Sequence, residues 1–224
     1  MDAMPQRLIV DDEDLMVNPE RRLACVPLAD VSTSMDGAPR DQLNRGIQVL
    51  YHDLARDPVA SKRVEICPIS FGPVTIEHDF STVNHVRAPV FQAGNETPLG
   101  EAIMTALKAI EARKAVYDAN GISRYRPWII AITDGCPTDD WKAAAKALAE
   151  AERKKQVAAF FIGVEGADFG ILKQISVRPP IKLSGLHFPS LFQWLSTSLR
   201  SASRSQIGQT QMTAPLPNTM QISQ

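Results

Sequence analysis

Asp30, Ser32 and Ser34 follow an apolar run, Leu23 to Leu28, that reads as a buried strand. They are three oxygen-bearing side chains at alternate positions. Two further segments carry matching chemistry: Glu96-Thr97-Pro98-Leu99-Gly100 before a helical pattern, and Ile132-Thr133-Asp134-Gly135 after a second apolar strand. Asp30, Ser32, Ser34, Thr97 and Asp134 together offer five oxygen donors from three loops, only two of them carboxylates. That set describes an under-coordinated site for a small hard cation, with a position left open for a carboxylate from outside. Mg²⁺ takes near-octahedral oxygen geometry and usually keeps waters beside one or two carboxylates. Mn²⁺ satisfies the same hard ligands. Hydroxyls are neutral donors, so they ligate without quenching the ion's charge.

Each segment also has a plainer local reading. Asp30 to Ser34 fits a polar turn and helix cap. Thr97-Pro98 fits a helix start, with Thr97 as N-cap and proline in the first turn. Asp134-Gly135 fits a turn. Asp139 and Asp140 suit the first turn of a helix, where carboxylates favour the dipole, or the rim of the site. Trp141 is placed for exposure near the same face and for contact with a partner.

The elements that must hold these residues alternate. Strands are expected at Leu23–Leu28, Val64–Phe71, Trp128–Thr133 and Val157–Val164, with a weak last one at Ile181–Leu183. Gly72-Pro73 turns the second strand into an antiparallel edge strand over Val74–Phe80. Helices are expected near Arg40–Arg56, from Leu99 through Ile110, over Asp139–Gln156, near Phe169–Ile175 and over Phe188–Leu199, from the recurrence of apolar residues at helical spacing. Such alternation implies an α/β fold: a doubly wound, mostly parallel sheet with one antiparallel edge strand and helices on both faces. Ligands of that plan gather at the carboxyl ends of strands where strand order reverses. Asp30 and Asp134 sit just past two such ends.

The ordered triple of D-x-S-x-S, Thr and Asp resembles the metal-ion-dependent adhesion site of von Willebrand factor A domains. The resemblance runs from about Arg22 to about Ser203. It is nearest to the bacterial tellurite-resistance Y-type (TerY-like) proteins, through Arg63-Val64-Glu65, Ser70-Phe71-Gly72, Thr97-Pro98-Leu99-Gly100, Tyr125-Arg126-Pro127-Trp128, Thr133-Asp134-Gly135, Pro137-Thr138-Asp139 and Ile162-Gly163-Val164-Glu165. The resemblance implies direct ligation by Ser32 and Ser34. It implies that Asp30, Thr97 and Asp134 bind directly or through water. It also implies a protein partner that gives an acidic group to the metal, and it associates the chain with a PP2C-type phosphatase and a protein kinase in stress-response systems. Cys136, beside the Asp134 loop, departs from the TerY-like pattern.

Enzymatic alternatives fare worse. A Mg²⁺-dependent aspartate-nucleophile phosphohydrolase needs a second Asp two residues after the first, and Ser32 stands there. No phosphate-binding loop, nucleophile elbow or histidine metal motif occurs. The expectation is a non-enzymatic binding module, with a scaffold bearing a vestigial metal site as the other alternative.

The 224 residues are enough for one domain with a substantial core. A net charge of −1 and a pI near 6.4 give no basic surface that points to nucleic acid. Arg153-Lys154-Lys155 reads as the cationic end of a helix. No apolar stretch reaches bilayer length and no signal-peptide core precedes the domain, so no membrane association and a cytoplasmic location are expected. Cys25 and Cys67 read as buried thiols. His52, His78, His85 and His187 have no ligand spacing. Residues 1–21 read as a polar N-terminal arm or edge strand, 22–203 as the domain, and 204–224, rich in Gln, Ser, Thr, Asn and Pro, as a disordered tail dispensable for folding.

Overall fold

The computed structural model describes residues 12–134, 136–209 and 213–223. Along the chain run α1 (Asp12–Val17), β1 (Leu23–Asp30), α2 (Ala38–Ala55), α3 (Ala60–Arg63), β2 (Val64–Ile66), β3 (Ile69–Phe71), β4 (Thr75–Ile76), β5 (Ser81–Thr82), α4 (Leu99–Ala119), β6 (Trp128–Thr133), α5 (Lys142–Arg153), β7 (Ala158–Gly163), α6 (Phe169–Ile175), β8 (Ile181–Leu183), α7 (Phe188–Ala202) and β9 (Met220–Ile222). The sheet order is β4-β3-β1-β6-β7-β8-β9, with β2 and β5 continuing the β3 side. β1 pairs in parallel with β2 along its first half and with β3 along its second. Pro68, which has no N–H to give a ladder, lies in the break.

β1 and β6 are buried along their whole length, as strands covered on both faces must be. Their side chains alternate between two cores. Leu23, Cys25 and Ala29 of β1, with Trp128, Ile130 and Ile132 of β6, face α2 and α7. Ala24, Val26 and Leu28, with Ile129 and Ala131, face α4 and α5. Gly46 of α2 lies against the Phe192 ring of α7; a Cβ there would sit 2.1 Å from it. A helical glycine costs about 1 kcal/mol against alanine, and here it lets the two helices close over the sheet. The expected doubly wound plan is therefore present, and its strand order reverses between β1 and β6. The antiparallel edge beyond Gly72 is shorter than expected and split between β4, paired with β3, and β5, paired with β2.

Beneath the start of β2, Glu65 is fully buried and saturated. Its carboxylate accepts from Arg22 Nε (2.9 Å), from Arg113 Nε (2.7 Å) and Nη2 (2.8 Å), and from the Tyr117 hydroxyl (2.5 Å). Burial and the Glu65 charge hold the Tyr117 phenol well above its usual pKa, so it remains a donor.

Three expectations need correction. The N-terminal arm is neither extended nor free over its described part: residues 12–17 form α1, whose Leu15 packs on Tyr117 and Ile122. Residues 1–11 lie outside the described residues. The helix expected from Asp139 starts only at Lys142, because Asp139 caps a different helix. The tail is not disordered over 213–223. Trp194 Nε1 donates to the Ala214 carbonyl (2.9 Å), Ala214 N–H donates to Ser198 Oγ (2.9 Å), and β9 pairs antiparallel with β8. Composition misleads here because the free edge of β8 supplies backbone hydrogen bonds to any sequence. Ala214, Leu216 and buried Met220 then suffice to anchor the segment. Deleting residues 213–224 is expected to lower the melting temperature by roughly 4–12 °C, the counterpart of about 2–3 kcal/mol for the lost Met220 burial and Trp194 bond. An unchanged melting curve would restore the dispensable-tail reading.

Candidate metal centre

β1 and β6 lie side by side with Ala29 opposite Ile132, which brings the carboxyl ends of both strands to one edge. The D-x-S-x-S segment leaves that edge through a single 3-10 turn, Thr33–Met35, so Ser32 and Ser34 fold back over Asp30 instead of running on as a strand. Asp30 Oδ1 accepts from the Ser32 N–H (2.9 Å), and Thr133 Oγ1 donates to Asp30 Oδ2 (2.5 Å). Ser32 Oγ lies 3.0 Å from Ser34 Oγ, and Ser34 Oγ donates to Asp134 Oδ1 (2.8 Å). Four of the five expected residues are thus joined in one polar cluster.

Thr97 enters from a third loop, and its hydroxyl is outside that cluster's hydrogen bonds among the described residues. The loop is stitched to the Asp30–Ser34 segment and to the turn after β3. Gly94 N–H donates to the Val31 carbonyl (2.7 Å), Asn95 N–H to the Gly72 carbonyl (3.1 Å), and Thr33 Oγ1 to the Gly94 carbonyl (3.3 Å). Gly94 and Gly72 have to be glycines for this. A Cβ on Gly94 would stand 1.5 Å from the Gly72 carbonyl oxygen, and one on Gly72, at φ 131°, would stand 2.6 Å from the Glu96 carbonyl oxygen. Thr97 itself is held by its backbone, its N–H to Thr138 Oγ1 (3.1 Å) and its carbonyl to the Thr138 N–H (3.0 Å).

The cap of α4 is not Thr97. Asp139 reaches across from the loop after β6 and accepts from the Gly100 N–H (3.1 Å) and Glu101 N–H (2.8 Å). Thr97 is thereby relieved of capping. Gly100 permits the approach, since a Cβ there would meet Trp141 Cα at 2.8 Å. Trp141 is half-buried on this contact rather than free, while Trp128 and Trp194 are core residues. The Asp134 loop and the Thr97 loop are therefore one unit. Thr133 is the supporting residue that pattern reading missed, and Asp139, read as a helix first turn or the site rim, was not read as the cap of α4. Thr133 was findable, because it is the next residue along from the Ala29–Ile132 pair. Asp139 had no local signal.

Asp30 is completely buried, and burial pushes its carboxyl above the ordinary range; hydrogen bonds from Ser32 and Thr133 pull it back, and the Asp134 charge pushes it further up. Asp134 is likewise raised by burial, against the lowering hydrogen bond from Ser34. Two carboxylates held together with raised pKa, ringed by hydroxyls, form a negative site that a hard cation would relieve. No group of three or more His, Cys, Asp or Glu that could hold a metal exists among the described residues. The sign of the pH effect follows. A folded-state pKa raised above the unfolded value means the native state binds the proton more tightly. Without metal, stability thus rises as pH falls from above the folded pKa of Asp30 towards the unfolded one. Asp30→Asn lacks that term. Its melting temperature relative to wild type, in chelator, is expected to fall progressively from pH 7 to pH 4.5; a pH-independent difference would contradict the raised pKa.

Cys136 is exposed, 3.8 Å from Asp168 Oδ2, and both its surroundings and that charge hold the thiol pKa up, against a nucleophilic role. Cys25 and Cys67 are buried. Of the histidines, His78 is tied to the Tyr51 hydroxyl (2.6 Å), and His52 and His85 are largely exposed.

The fold and the placement of these loops define a class, and comparison with known proteins agrees. The family model of the von Willebrand factor type A domain matches residues 67–187, more than half of the chain. The chain belongs to the von Willebrand factor type A domain family, whose members are protein-interaction modules, often metal-dependent and generally non-enzymatic. Thr97 and Asp134 fall inside the matched stretch, and Asp30, Ser32 and Ser34 precede it. Among solved structures, the pilus adhesin SpaC from Lactobacillus rhamnosus GG, in an open conformation, is similar with a TM-score of 0.62 at 12% identity, over 81% of this chain and 30% of that one. A von Willebrand factor type A protein from Catenulispora acidiphila gives 0.59 at 12%, over 81% and 43%. Proximal thread matrix protein 1 from the mussel byssus gives 0.55 at 15%, over 80% and 48%. The chain spans less than half the length of each of these. No curated protein matches the chain in sequence. No helix among the described residues is long and apolar enough to cross a membrane.

Proposed function

We propose that this chain is a metal-dependent protein-docking module in which Asp30, Ser32, Ser34, Thr97 and Asp134 hold Mg²⁺ or Mn²⁺. The observation that carries the reading is the convergence of hydroxyls from Ser32 and Ser34 on two carboxylates at the strand-order reversal, with the Thr97 loop stitched beside them. With so few negative ligands, the bound ion keeps positive charge and supplies a Lewis-acidic position for a carboxylate of a partner. The protein's own residues orient that position: Thr133 and the Ser32 N–H fix the Asp30 carboxylate, and Asp139 and Thr138 fix the loop of Thr97. A phosphohydrolase is less well supported, because the acid/base position two residues after Asp30 is Ser32, whose hydroxyl is engaged with Ser34. The TerY-like resemblance adds a bacterial stress-response setting of the tellurite-resistance type, with a PP2C-type phosphatase and a protein kinase as partners.

The test is metal-linked stability followed by capture. At Mg²⁺ about 100 times its dissociation constant, wild type gains ~2.7 kcal/mol, a rise in melting temperature of roughly 5–10 °C. Asp30→Asn is expected to lose that rise while remaining folded in chelator. Native lysate passed over wild type in Mg²⁺, wild type in chelator and Asp30→Asn in Mg²⁺ then identifies a partner retained only in the first. An Asp30→Asn variant that keeps the metal-induced rise would overturn the ligand assignment. A partner retained in all three samples would make the site vestigial.

A further inference from the structure

At the pole opposite the proposed metal site, where β6 and β7 begin, the structure has a half-open cavity of about 730 Å³. Every charged residue lining it is basic: Lys114, Arg124, Arg126, Lys155 and Arg178. Their acidic partners do not balance them. Arg124 pairs with Asp118, Lys114 with Glu111 (2.7 Å), and Arg126 and Arg178 share Glu152. Lys155 has no carboxylate partner among the described residues, so two positive charges are left over. Asp118 and Glu111 are largely solvent-exposed, and pairs of that kind are strongly screened. The Arg126 and Arg178 guanidiniums are half-buried and brought together across Glu152, and Arg178 stacks on Phe160 with its guanidinium carbon 5.2 Å from the ring centre.

The backbone gives a second, independent sign. Lys155 follows the last turn of α5 at φ 58°, and no other non-glycine residue among those described has positive φ. That position after a helix favours glycine, because a side chain there is strained. A lysine held in this conformation adds an unpaired cation to the cavity lining at a conformational cost that glycine would not incur.

We infer that this cavity binds a small molecule carrying two or more phosphate groups. Guanidinium forks match phosphate oxygens in pairs, and a compact oligophosphate concentrates the negative charge that the two uncompensated cations of this cluster call for. The volume is that of a small-molecule site, so an organic oligophosphate of nucleotide size is accommodated as well as an inorganic one.

Calorimetric titration of the full chain in chelator and low salt, with tripolyphosphate, ATP and adenosine as separate probes, tests this. Tripolyphosphate is expected to bind saturably at one site, ATP to bind as well, and adenosine not to bind. Lys155→Gly combined with Arg124→Gln is expected to weaken tripolyphosphate binding at least about tenfold. Lys155→Gly relieves the backbone strain, so an unreduced melting temperature for that variant shows that the loss is not unfolding. Asp30→Asn is expected to bind tripolyphosphate as wild type does, which separates this pole from the metal site. Absence of saturable binding, or equal affinity in the double variant, would overturn the inference. Titration that never saturates and vanishes with moderate salt would reduce the cavity to unspecific surface charge, and would overturn it equally.

Discussion

Glu65→Ala is expected to destabilise the fold by about 3–5 kcal/mol, because it leaves the buried Arg113 guanidinium without a counter-charge and Arg22 with only the more distant Asp14, 3.4 Å away. Arg22 is completely inaccessible and Arg113 is 5% exposed, so neither can turn to water without opening the sheet edge. Four hydrogen bonds converge on the one carboxylate from β1's approach and from α4, elements 43 to 52 residues away from Glu65. For a domain whose total stability is of the order of 5–15 kcal/mol, this loss lowers the melting temperature by roughly 6–20 °C. Circular dichroism melts of Glu65→Ala and Glu65→Gln check it. A fall under about 3 °C would mean that water reaches the cluster. Breaking one partner is the costly event, so Glu65→Leu with Arg113→Met should recover part of the loss, a coupling that a double-mutant cycle measures directly.

Gly94→Ala is the second large effect, and it falls on the site rather than on the core. The added methyl would overlap the Gly72 carbonyl oxygen, 1.5 Å away, and that atom is backbone and cannot rotate aside. The loop must move, and with it go the Gly94–Val31 and Asn95–Gly72 bonds that hold the Thr97 loop against the Asp30–Ser34 segment. Loss of a supporting contact around a metal ligand typically costs 10–100-fold in metal affinity. Mg²⁺ affinity is therefore expected to fall by about that factor, while α4, capped by Asp139 through the Gly100 and Glu101 N–H groups, stays in place. Titration calorimetry of the variant with MgCl₂ reads the change. Wild-type affinity in a folded Gly94→Ala chain would remove the Thr97 loop from the binding unit. An accompanying collapse of the whole fold would place the effect in the core and contradict the separation argued here.

The alternation of apolar runs with helical periodicity was enough to read the α/β plan. A strand buried on both faces leaves a continuous apolar signature such as Trp128–Thr133, and amphipathic helices such as α2 leave a periodic one. The oxygen-bearing residues at two strand ends were legible for the same reason: strand ends are local events. Asp139 as the cap of α4, the clamp between Gly72 and Gly94, and the Glu65 cluster were not legible. Each joins residues that only the folded chain brings together, and no spacing encodes a contact across 22 or more positions. The tail shows the same division. Its composition described a segment with little to bury, and in isolation that description holds. What decided its place was the edge of β8 and, on α7, the Trp194 Nε1 donor and the Ser198 Oγ acceptor, which reward a docked backbone almost irrespective of its side chains. The sequence by itself determined the layers and the chemistry available at the strand ends. The tertiary structure alone decided which loops share that chemistry and which cations share the opposite pole, because hydrogen bonds and charges act through space and the chain sets only their order.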